Sequence, residues 1–198
     1  MGRREVLFND KAQPYIASLK PASPFIRQFH CDNFDYQPTR LTSLPDVAKA
    51  TGVKSVYIKT ETSRLGLPSF KILGASWGVF RSIAKRLDLP LNANLGAIRE
   101  AISQSDLTLY AATDGNHGRA VAYMGRLLSI AVQIHVPNFL DSEAIAAIEG
   151  EGAKVHVSSG DYDVAVADAL SASDYLNGIL VQDTAFDGYT EIPQVCRA

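Results

Sequence analysis

A chain of 198 residues with 46% apolar and 20% charged residues can bury a substantial core, as one large domain or two small ones, and lacks the composition of a disordered or fibrous protein. A net charge of -2 and a pI near 6.1 supply no broad positive field for nucleic acid or an anionic membrane, and the densest basic run, 81–86, falls inside a helical pattern. The two cysteines, Cys31 and Cys196, stand far apart with no Cys or His at ligand spacing, so neither a disulfide framework nor a metal site is expected and a cytoplasmic location is the default. Residues 1–6 lack the apolar core of a signal peptide, Val6 stands where a myristoylation motif prefers Ser or Thr, and no stretch approaches the ~20 apolar residues of a membrane span.

From residue 1 to about 44, Pro14, Pro21, Pro24 and Pro38 interrupt short apolar runs, which predicts an irregular arm with a short helix or two. Residues 45–198 form the regular part. Residues 55–59 have strand composition; after a loop with Gly66 and Pro68, Leu73, Trp77, Phe80, Ala84 and Leu87 recur at helical spacing over 71–87. A helix is expected over 95–103, a strand over 107–112, a turn over 113–118 and a helix over 117–128. A strand over 130–136 stops at Pro137, Asp141 caps a helix to about Glu149, and 153–157 is another strand. Asp161 opens a helix to about Leu176 that Gly178 ends, and 179–182 is the last strand. No internal repeat is visible.

Strands alternating with helices predict an α/β fold, a mostly parallel sheet with helices on both faces. Ligands in such sheets bind beyond the carboxyl ends of the strands. Lys71, Asp114 and Asp183 each follow an expected strand and are therefore candidates for one site.

In Ser69-Phe-Lys-Ile-Leu-Gly-Ala75 the lysine stands at the first turn of a helix, where the dipole opposes a cation and favours a neutral amine. Only a neutral amine attacks an aldehyde to form a Schiff base, and a collar of Phe70, Leu73 and Trp77 would desolvate it. The plain alternative is a lysine whose ammonium reaches solvent. In Ala111-Ala-Thr-Asp-Gly-Asn-His-Gly-Arg-Ala120 a strand end passes through a glycine turn into a helix start whose N–H groups can cradle an anion such as a carboxylate. Gly115 and Gly118 permit close approach, Thr113 adds a hydroxyl, and the Asn116 amide can bond a phenolate oxygen on a nearby ring. Asp114 could equally be a turn former and Asp183 a helix cap. His117 reads as a helix-start residue beside the site, since no second ligand stands at metal spacing on its helix.

These segments, 69–75 and 113–118, together with Gln182-Asp-Thr-Ala-Phe-Asp-Gly-Tyr-Thr190, resemble the diaminopropionate ammonia-lyase family of the tryptophan-synthase-beta-like (fold type II) pyridoxal-phosphate enzymes. Tyr36-Gln-Pro-Thr-Arg-Leu41 and Lys59-Thr-Glu61 match the group's early landmarks, so the likeness spans about Tyr36 to Pro193. The resemblance implies a two-lobed fold in which about 105–160 forms much of the smaller lobe. It implies pyridoxal 5'-phosphate as cofactor, Lys71 as the Schiff-base lysine and Asn116 beside the ring oxygen. Asp114 and Asp183 match proton acceptors for opposite faces of the substrate, with Thr113, Gly115, His117 and Tyr162 near it. The Tyr162 hydroxyl could otherwise simply face water. The implied reaction is α,β-elimination of 2,3-diaminopropionate to pyruvate and ammonia, with a small amino acid as partner and a possible homodimer.

Thr113, in place of the more usual Ser, and especially Asp114 separate this pattern from the serine and threonine dehydratases of the group, which remain the alternative chemistry. The family's glycine-rich phosphate loop is not present in the 198 residues, and the expectation is an N-terminal portion, C-terminally incomplete. A lyase completed by further chain and a non-catalytic fragment or pseudoenzyme both fit that expectation.

Overall fold

The computed structural model describes residues 23–196, so the part of the expected arm over 1–22 lies outside the described residues. Helix α1 (Pro24–Asn33) begins with proline in its first turn, where the missing N–H costs nothing. It buries Phe29, whose ring lies 5.4 Å from Trp77 and 4.7 Å from Phe80. Strand β1 (Leu41–Ser43), helix α2 (Pro45–Thr51) and strand β2 (Tyr57–Lys59) follow, and β1 pairs antiparallel with β2, Thr42 opposite Ile58.

This differs from the expected arrangement, in which the strand near 57 belonged to the parallel sheet. Three-residue strands carry too few positions for a readable alternation, and neither β1 nor β2 buries a face fully. What holds this region is Arg64, only 4% exposed. Its Nε and one terminal nitrogen grip both oxygens of Glu61 at 2.7 Å, the same nitrogen donates to Thr39 Oγ1 at 2.7 Å, and the other reaches the Gln37 carbonyl at 3.1 Å. The guanidinium also lies 5.6 Å from the Tyr36 ring centre. One side chain thus joins the 36–41 and 59–61 segments.

The regular part runs α3 (Lys71–Arg86), α4 (Leu95–Ser103), β3 (Thr108–Ala112), α5 (Asn116–Leu128), β4 (Ala131–Val136), α6 (Ser142–Glu149), β5 (Lys154–Val157), α7 (Tyr162–Tyr175), β6 (Ile179–Leu180) and α8 (Glu191–Cys196). β3 to β6 form a four-stranded sheet in the order β5-β4-β3-β6, and every pairing is parallel. The expected α/β architecture is what the chain adopts. Alternate residues of β4, Val132, Ile134 and Val136, enter the main core with Val121, Met124 and Leu128 of α5. Each such side chain contributes roughly 1.5–3 kcal/mol by leaving water. The opposite face receives Ala165 and Ala169 of α7 against Ala112.

Asn94, Asp141 and Asp161 cap α4, α6 and α7 by accepting from the backbone N–H three residues on. The end of α7 departs from expectation: the left-handed residue is Asn177 (φ 52°) and not Gly178, an asparagine tolerating that region better than most side chains. β6 is also shorter than the expected four residues, because after a last backbone bond from Val181 N the Gln182 side chain takes over the pairing with Ala112 N. No helix among the described residues is long and apolar enough to cross a membrane.

Candidate active site

A cavity of about 450 Å³ opens where the C-terminal ends of β3 and β6 face the start of α3. Lys71, Asp114, His117, Tyr162 and Asp183 all line it, which brings together five of the eight residues singled out from the sequence. Its size falls within the range of small-molecule sites.

Lys71 opens α3, and its Nζ donates to Asp183 Oδ2 at 2.9 Å, across 112 residues of sequence. The lysine side chain is about one-third exposed and the aspartate about one-fifth. Of the expected apolar collar only Phe70 lines the cavity. Residues 73 and 77 lie well around the helix from position 71, whereas 74 and 75 share its face. Accordingly Gly74 and Ala75 line the cavity, and Trp77 is buried in the core with its ring stacked on Phe80 at 5.1 Å. The amine is therefore paired with a carboxylate and not enclosed by hydrocarbon. Burial alone would raise the Asp183 carboxyl, but His117 in its protonated form and the Lys71 ammonium hold it below its ordinary value.

His117 is 2% exposed and sits on the first turn of α5. Its Nε2 donates to the Val181 carbonyl at 2.8 Å, and since a carbonyl only accepts, Nε2 carries the proton. Nδ1 then faces Asp183 Oδ2 at 3.7 Å. Burial pushes the imidazole below the ordinary histidine value, so near neutral pH it is uncharged with Nδ1 ready to accept a proton.

The turn between β3 and α5 explains its own residue types. Thr113 is buried, and its Oγ1 accepts from Gly115 N at 2.9 Å and Gly118 N at 3.1 Å. Gly115 has φ 147°, a region that disfavours other residues, and a Cβ on Gly118 would fall 2.3 Å from Thr113 Cγ2. These contacts leave Asp114 exposed at the tip, on the cavity wall. Thr113, Gly115 and Asn116 shape the turn or lie beside it; Asn116 is exposed at the first position of α5.

Tyr162 opens α7 behind the Asp161 cap, half-buried, with its hydroxyl 2.7 Å from Gln182 Nε2 and 3.2 Å from Thr184 Oγ1. Burial raises its phenol above the ordinary tyrosine value. Thr184, which also lines the cavity, and Gln182, which supports it, carry no role in the sequence reading. Both flank Asp183 in the quoted 182–190 segment, and polar residues on either side of a candidate acid at a strand end are the signal that points to them.

One lysine amine, two carboxylates and a bare imidazole nitrogen thus share a cavity wall at the ends of parallel strands, where ligands bind in sheets of this kind. The pyridoxal-phosphate-dependent enzyme family model matches residues 33–194, and the chain belongs to that family. It is 33% identical over 187 residues to diaminopropionate ammonia-lyase of Escherichia coli (strain K12), a match covering 94% of this chain and 46% of that protein. The Salmonella typhimurium diaminopropionate ammonia-lyase is 34% identical over 171 residues, with 83% and 42% covered. The crystal structure of the holo Escherichia coli enzyme superposes with a TM-score of 0.80 at 34% identity, covering 87% of this chain and 44% of that one. A threonine deaminase from Solanum lycopersicum shares the fold, with a TM-score of 0.59 at 21% identity. The chain spans about half the length of the curated relatives it matches.

Proposed function

We propose that these residues serve pyridoxal-phosphate-dependent α,β-elimination of 2,3-diaminopropionate to pyruvate and ammonia. The observation that carries the reading is the Lys71–Asp183 contact inside a cavity that Asp114 also lines. The residues present fit the family's cofactor, because Lys71 is an amine within the cavity and Asp183 is placed to take a proton from it. Lys71 would hold the cofactor carbonyl, and Asn116, outside the cavity lining, would lie toward the ring oxygen. When bound, the cofactor supplies an electron sink for charge developing at the substrate α carbon.

The chain's own residues divide the proton work. Asp183, kept ionised by its neighbours, accepts a proton at Oδ2 from one side of the cavity, and Asp114 accepts from the other. His117 Nδ1 backs Asp183 while its Nε2–H bond to Val181 prevents the ring from turning. The Tyr162 and Thr184 hydroxyls supply polar contacts for a small amino acid, and the Gly115-to-Gly118 turn leaves room for its carboxylate.

The test is a visible absorption spectrum of the purified chain with pyridoxal phosphate beside Lys71→Ala, followed by product analysis. A Lys71-dependent band, with ammonia and pyruvate formed from 2,3-diaminopropionate but none from serine or threonine, supports the proposal. Ammonia from serine or threonine instead would make the site a dehydratase, and a well-folded chain with no band would make it non-catalytic.

A further inference from the structure

Gln182 lies two residues past the end of β6 and is wholly buried. The β3–β6 ladder continues through Val181 N, which donates to the Tyr110 carbonyl at 2.7 Å. At the next step the side chain takes over, and Gln182 Oε1 accepts from Ala112 N at 2.9 Å. A backbone N–H can only donate, so the amide oxygen is the atom turned toward Ala112 and Nε2 must face the other way. There it donates to the Tyr162 hydroxyl at 2.7 Å. The main chain of Gln182 is held too: its N–H donates to the Tyr189 hydroxyl at 3.0 Å, and that hydroxyl donates to the Leu180 carbonyl at 2.9 Å. The amide cannot rotate without breaking both hydrogen bonds, one buried and one partly buried.

That orientation propagates. The Tyr162 oxygen already accepts from Gln182, which favours it as the donor to Thr184 Oγ1 at 3.2 Å, a contact in which either hydroxyl can donate. Thr184, once it accepts, must send its proton elsewhere, and it lines the cavity with Lys71 and Asp183. Resting on the reading of this cavity as a cofactor and amino-acid site, we propose that Gln182 is a positioning residue. It sets a one-way chain from its amide through Tyr162 to Thr184 that leaves the Thr184 hydroxyl as a donor on the cavity wall. This wall therefore selects a ligand that brings an acceptor oxygen, such as a carboxylate, and disfavours one that brings an ammonium.

Gln182→Glu tests the proposal, because the isosteric carboxylate still accepts from Ala112 N–H but offers Tyr162 no donor and draws the phenol proton back onto itself. The readout needs no ligand: ¹³C NMR of the chain with Cζ-labelled tyrosine, the Tyr162 signal being the one missing from Tyr162→Phe. The signal is expected to move one way in Gln182→Glu and the opposite way in Thr184→Val, which removes the next acceptor without touching the buried position. An unmoved Tyr162 signal in a folded variant overturns the proposal.

On the cofactor-loaded chain, the affinity for 2,3-diaminopropionate, read from the visible band, should fall about tenfold in each single variant and no further in the double. Unchanged affinity in Gln182→Glu, or losses that simply add, would also overturn it. NMR shifts as expected without any Lys71-dependent band would support the hydrogen-bond chain and sink the reading of the cavity.

Discussion

The hydroxyl oxygen of Thr113 is committed to its own turn, accepting from both Gly115 N and Gly118 N. Thr113→Val keeps the shape and leaves two N–H groups without that acceptor, an expected cost of about 1–3 kcal/mol in urea unfolding. Thr113→Ser keeps the acceptor and should lose under about 1 kcal/mol, so equal losses in the two variants would mean that packing and not the hydroxyl holds the turn. Asp183 offers a second residue-scale prediction. Its carboxyl is depressed in the folded chain, so its pairing contributes stability above the unfolded carboxylate value, lost as pH falls through the lower folded value. Since the pair is partly exposed, Asp183→Asn should cost only about 0.5 kcal/mol at neutral pH. The difference from the parent chain should vanish in unfolding curves taken well into acid.

At the scale of elements, Arg64 holds together two short strands that bury almost nothing themselves. Arg64→Ala would strand the Glu61 carboxylate and release the Thr39 and Gln37 contacts, with an expected loss of about 3 kcal/mol by denaturant titration. A loss below 1 kcal/mol would show that the 36–64 region is held by something else. Its neighbourhood is also where the sequence was least legible. β1, α2 and α8 are each seven residues or shorter and follow no clear period, whereas α4 falls where its spacing predicts and α3 and α5 differ by one residue at one end. Lys71, Asp114 and Asp183 were visible because each follows a loop or strand end in a quoted motif. The network of Gln182, Tyr162 and Thr184 was not, because it depends on β6 stopping early and on which way an amide is turned. Trp77 misled for a related reason: closeness in sequence to Lys71 is not closeness on the helix surface.

At the scale of the whole molecule, His135 on β4 and His156 on β5 are register partners whose rings stack at 5.0 Å. The Nε2 of each is buried with no hydrogen-bond partner among the described residues. Burial pushes both below the ordinary histidine value; the paired imidazole adds to this for His135 and Lys154 for His156, while Asp168 works the other way on His135. Burial also lowers His30 and His117. The unfolded chain therefore takes up protons before the folded one, and stability is expected to fall as pH drops from about 7 to 5. Replacing His135 and His156 together by Gln should flatten, but not abolish, the fall in thermal midpoint over that range. An unchanged slope would remove the pair from the acid response.

The contact between Lys71 and Asp183 spans 112 residues, and β6 must settle beside β3 before the two side chains can meet. At ordinary rates of translation the lysine leaves the ribosome on the order of ten seconds before the aspartate does. In the second half of that interval α3 and α5 can already pack, but the amine has no carboxylate partner. The cavity is thus among the last parts of this fold to assemble during synthesis, and a nascent chain carries the Lys71 amine before it carries a pocket to enclose it.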